Sequence, residues 1–263
     1  MLKVHRTRAF RSFQRTVGDS THHINTAHVA LELIARGAQK PSDLRVKWTA
    51  PKNPKDAAAR SRAFLFQALL GHLFNAVDTY LRDLAVDRWV KLTNIQRDIL
   101  NKSVTKPKGE AYSVADRFAE LSEGSPIHDS ANALLVNALV KWRNLNVHEE
   151  AEAEQEKDGE KTKNRGLDRE QERKLLACAE ELRAYGDLDI SLLLKHMKAN
   201  RAPSRKDIVA LASAAQNYVR SVDELLLFNS VTETEDVERI ALTEIKQVLL
   251  NADDQPLKLL WGK

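Results

Sequence analysis

The stretch 129-DSANALLVNALVKWRNLNVHEE-150 reads as one helix opened by Asp129 or Ser130. At about 100° per residue, Leu135, Ala138, Leu139, Trp142 and Leu145 fall on one side, an ordinary core stripe. Ala133, Val136, Val140 and Val147 make a second apolar row, centred roughly 160° away. Arg143 and Asn144 fill the gap in that row, and His148 sits one turn beyond Asn144. A helix with two apolar faces is covered on both. The first face meets a bundle core; the second meets another helix of this chain or another subunit. Polar groups in such an interface need partners. Alternatively the second face is half-buried, with Arg143 paired to a carboxylate and His148 at a fraying end.

The neighbouring segments carry the same period. From Ser61 to Lys91, the positions Phe66, Leu69, Leu70, Leu73, Val77, Tyr80, Leu81 and Leu84 step by three and four, which predicts a long helix. Further helices are expected over about 19–36, 113–123, 167–185, 188–199, 204–228 and 231–250. Residues 37–59, with three prolines, predict an irregular connection that Trp48 pins to the core, and Asn101–Tyr112 predicts a loop. The run 149-EEAEAEQEKDGEKTKNRG-166 turns from acidic to basic with no apolar residue but Ala, so its later part is expected to be a solvated loop. No strand alternation is convincing. The expectation is an all-α fold.

Composition agrees. Nine Gly and 7 Pro in 263 residues argue against a turn-rich β fold. The single cysteine, Cys178, excludes an internal disulfide or a multi-cysteine metal centre, and it is expected to be a small buried side chain. No apolar run is long enough to span a bilayer, so no membrane partner is expected. The net charge is +4, which permits an anionic partner without demanding one. Lys3, Arg6, Arg8, Arg11 and Arg15 precede the first acid, Asp19. They are read as a basic arm or first helix of a cytoplasmic protein rather than a presequence. Phe10 and Phe13 among these arginines either grip RNA or dock the arm on the bundle. His22, His23 and His28 fit no recognised zinc spacing, and neither a metal nor a cofactor is expected.

Arg143-Asn144-Leu145-Asn146-Val147-His148 resembles the R-x4–6-H motif of HEPN domains, including the polar residue that commonly follows the Arg. The 73-LFNAVDTYLRDL-84 stretch is similar to a HEPN first helix, and 209-VALASAAQNYVRSVDELLLF-228 to a closing one. The resemblance covers about residues 60–228. It implies a HEPN-like helical bundle over 61–228 with a charged insert near 149–170. Outside it fall an N-terminal basic helix and connection (1–60) and a C-terminal helix and tail (229–263).

Many HEPN domains are metal-independent endoribonucleases of toxin–antitoxin and antiviral defence systems. The resemblance therefore implies RNA cleavage by 2′-hydroxyl attack, in a composite site built by two protomers of a homodimer. It also implies a possible antitoxin or defence-system partner protein. The residues it assigns to catalysis are Arg143, Asn144 and His148. An imidazole suits proton transfer near neutral pH, and a guanidinium suits phosphate. Asp78 is read either as orienting Arg143 or His148 across the bundle, or as a surface acid paired with Arg82. His72 is read as a border residue. Two other readings stand beside this one: a non-catalytic HEPN module that binds RNA, nucleotides or a partner, and a helical scaffold whose motif match is accidental.

Overall fold

The computed structural model describes residues 6–87, 90–107, 109–155 and 166–230, with side chains described except at 147–155 and 228–230. Nine helices lie among the described residues: α1 (Arg8–Ala35), α2 (Pro54–Val86), α3 (Asn94–Leu100), α4 (Val114–Ser122), α5 (Ala131–Gln155), α6 (Arg169–Ala177), α7 (Ala179–Leu182), α8 (Ile190–Lys198) and α9 (Arg205–Ser230). No strand is found among those residues, only an isolated bridge between Thr105 and Ala111. The chain is all-α. The expected helix over 231–250 and the tail lie outside the described residues.

Most helices start where a short polar side chain takes up an orphan amide. Ser130 Oγ accepts from Ala133 N at 3.2 Å and opens α5. Ser113 with Asp116, Thr93 with Gln96 and Asp168 with Gln171 form reciprocal capping boxes. Gly37, at φ 86° just past α1, adopts the left-handed conformation that ends a helix.

Two starts differ from the sequence reading. The first helix begins at Arg8 rather than near Asp19, because Thr7 Oγ1 caps Phe10 N at 3.0 Å. Ala9, Phe10, Phe13, Val17 and Ile24 then form a buried stripe inside the common core. Of the two readings of the basic segment, arm or first helix, residues 8–24 take the helix, docked on the core. α2 begins at Pro54, capped by Asn53, since proline at the first helical position loses no hydrogen bond. The boundary expected between residues 60 and 61 falls inside this helix. Trp48 is only half-buried and is not part of the core. The helix expected over 167–185 is broken at Cys178 into α6 and α7.

α1 and α2 run antiparallel: Phe13 packs near Tyr80 at one end, and Arg62 pairs with Glu32 towards the other. α5 lies against α2, α4, α6 and α9, with its largest contact to α9. Leu135, Ala138, Leu139 and Trp142 are buried, as the first stripe predicts. Val136 and Val140 of the second row are buried too, within the protomer. Of the two coverings open to that row, its central part has the intramolecular one.

Candidate active site

Trp142 is fully buried and donates its indole N–H to the Arg201 carbonyl at 3.2 Å, which fixes the rotation of α5 about its axis. That rotation carries the next residue, Arg143, towards α2. The Arg143 guanidinium lies 4.5 Å from the centroid of the Phe74 ring, a cation–π contact. Its Nη1 donates to Asn144 Oδ1 at 3.1 Å. Arg143 is half-buried and has no carboxylate partner among the described residues. The carboxylate pairing considered for it is thus replaced by an aromatic face and an amide. Arg143 and Asn144 are brought together. His148 lies in α5 one turn beyond Asn144, and its side chain, like that of Val147, lies outside the described part of the structure.

Asp78 stands one turn beyond Phe74 on α2 but turns to other partners. Its carboxylate accepts from the buried Arg117 of α4, from Lys102 Nζ at 2.9 Å and from Arg82 Nη2 at 2.8 Å. Arg117 also donates to the Leu100 carbonyl at 3.0 Å. The pairing with Arg82 is as considered, yet Asp78 is buried rather than a surface acid. Burial raises its pKa, but the hydrogen bonds and charges of Lys102 and Arg117 outweigh that and hold it below the usual carboxylate value. Its described partners tie α2, α3, α4 and the turn after α3 together; Arg143 is not among them.

The sequence reading passed over another set of polar groups on α5. A cleft of about 530 Å³ opens between α4, α5, α6 and the segment before α4, and both Asn137 and Lys141 line it. Asn137 Oδ1 is buried there without a hydrogen-bond partner. His128 and Tyr218, which also line the cleft, lie on either side of the buried Ser122, whose Oγ is 3.2 Å from His128 Nδ1 and 3.4 Å from Tyr218 Oη. Asn137, Lys141, Asn144 and position 148 are spaced four, three and four apart, one row along the helix. The signal was legible in that spacing, but the apolar rows drew the reading away from it. Asn146, between Arg143 and His148, holds both amide atoms buried and unpartnered.

The remaining candidates resolve simply. Phe10 and Phe13 are buried, so the alternative of docking on the bundle is the one realised. Cys178 is partly buried, and burial together with the Glu181 charge pushes its thiol pKa up, away from reactivity. Among the described residues, no three His, Cys, Asp or Glu side chains gather as a metal-binding group, and no helix is long and apolar enough to cross a membrane. Comparison with protein-family models, with curated proteins and with solved structures finds no match to this chain.

Proposed function

We propose that the protein is a metal-independent endoribonuclease of the HEPN kind, with Arg143, Asn144 and His148 as its reacting groups. The observation that carries this reading is the state of Arg143. A half-buried guanidinium, steadied by an aromatic ring and an amide and neutralised by no described carboxylate, is ready to receive an anion. The unpartnered amide of Asn146 in the same turn adds a second polar group that calls for a ligand or partner.

The chemistry follows from the groups. The RNA 2′-oxygen bonds to the adjacent phosphorus as the bond to the 5′-oxygen breaks. One imidazole takes the 2′-hydroxyl proton and a second supplies a proton to the departing 5′-oxygen. The guanidinium stabilises the charge gathered on phosphorus. Two imidazoles require two copies of the motif, hence a homodimer about a twofold axis. The pairing surface is the C-terminal part of α5 around positions 144–148, since Val136 and Val140 are already buried inside the protomer. A role as a toxin or defence effector, with an antitoxin or other partner protein, belongs to the same proposal.

Purified protein is expected to cleave RNA in EDTA and to leave 2′,3′-cyclic phosphate ends. His148→Ala and Arg143→Ala should each abolish cutting while light scattering still reports a dimer. Full activity in either variant overturns the assignment. Binding without products favours the non-catalytic module, and a monomer that does neither is the plain scaffold.

A further inference from the structure

Besides the basic residues before Asp19, one internal segment of the chain is strongly positive. Between residues 36 and 62 there are eight basic residues against two acidic ones, a net of +6 in a chain whose total is +4. The structure makes this segment the tip of the α1–α2 hairpin. From residue 25 to residue 65 only Ala58 is buried, so the tip extends beyond the core with its two helices leaning on each other. Arg36, Arg45, Lys47, Lys52, Lys55 and Arg60 are exposed there and make no ion pair among the described residues; only Arg62 is paired, with Glu32. Phe64 is 74% exposed on the α2 side, and Trp48 is half-exposed in the connection.

We propose that the hairpin tip is an anchor for the phosphate backbone of a folded RNA. Unpaired cations beside one exposed and one half-buried aromatic ring suit such a surface: the cations take phosphates and the rings stack on unpaired bases. The tip shares α2 with Phe74, the residue against which Arg143 rests. At about 1.5 Å per residue, Phe64 stands about 15 Å and Lys55 about 28 Å along the helix from Phe74. The substrate class is therefore an RNA long enough to reach from the tip to the motif, with a structured arm held at the tip. This deepens the ribonuclease reading and rests on it for the identity of the RNA as substrate, while the binding itself needs no cleavage.

The test uses the full chain carrying Lys47→Glu, Lys52→Glu and Lys55→Glu together, all at exposed positions, with an unchanged melting curve as the check on folding. In a His148→Ala background, binding is titrated against salt with a stem-loop RNA of about 16 base pairs, the span that readers of duplex RNA cover. The triple variant should bind at least ten-fold more weakly. The slope of log affinity on log salt should be shallower by roughly two to three, the loss expected for three phosphate contacts. With His148 restored, cleavage of an oligonucleotide of about four nucleotides, too short to bridge, should be unchanged. Equal affinity and slope in the triple variant overturn the anchor. So does wild-type binding to anionic phospholipid vesicles that the triple variant loses while stem-loop binding stays the same. Failure of wild-type protein to cut any RNA, with the stem-loop result as expected, defeats the ribonuclease reading and leaves the anchor standing.

Discussion

Arg117 has no solvent exposure, and its charge is tolerated because Asp78 and the Leu100 carbonyl meet it. Removing one partner of a buried pair leaves the other uncompensated, at a cost of about 3–5 kcal/mol. Asp78→Ala should therefore lower stability by that amount in urea denaturation. The pH dependence has a definite sign. The carboxyl pKa is lower folded than unfolded, so its contribution is present above the usual value of about 3.9 and is lost as pH falls through the lowered value. The stability gap between wild type and Asp78→Ala should accordingly narrow below about pH 4. A gap that stays constant to lower pH would show the pair contributes nothing through ionisation. Phe74 acts on Arg143 through its ring face, and Phe74→Leu keeps most of the bulk while removing the π system. The contact is worth about 0.5–2 kcal/mol. If Arg143 serves the transition state, RNA cleavage should fall in kcat by roughly two- to thirty-fold with KM nearly unchanged, and Phe74→Tyr should restore it. A change confined to KM would place Phe74 in ground-state binding instead.

α5 shows what a single element reveals and conceals. Its core stripe, its Ser130 cap and its second apolar row were all readable from three-and-four spacing. What covered the second row was not, because a buried face looks the same whether a sister helix or a second protomer lies on it. Val140, at 2% exposure, decides the matter for the centre of the row. Val140→Asp places an unpaired charge in the protomer core and should abolish cooperative unfolding even in dilute protein. A folded monomer would mean the residue faces a partner after all. α1 was misread at its start for a related reason. Ala9, Phe10, Phe13 and Val17 keep helical spacing, but the acid-free run of arginines among them left an arm and a first helix both open. Arginine covers a helix's outer face as readily as it fills a flexible tail.

Across the whole molecule, periodicity made the all-α class legible, because each long segment carries its own record of which side is buried. Of the candidate site, Arg143 beside Asn144 was legible as a motif. The partners were not: Phe74 is one apolar residue among many on α2, and the Arg117 that claims Asp78 lies 39 positions away in sequence. Contacts between elements depend on how helices are rotated against one another, which Trp142 sets through a bond to Arg201. That bond leaves no trace in local spacing.

α2, one continuous helix, lives in two environments. From Phe66 to Ala85 it is clasped by the core, whereas before Phe66 only Ala58 is buried. Backbone opening is cheap where few apolar contacts must be broken and approaches the cost of complete unfolding where many must be. The rod is consequently soft at its outer end and stiff at its inner one. Its outer turns can fray while the turn bearing Phe74 holds still.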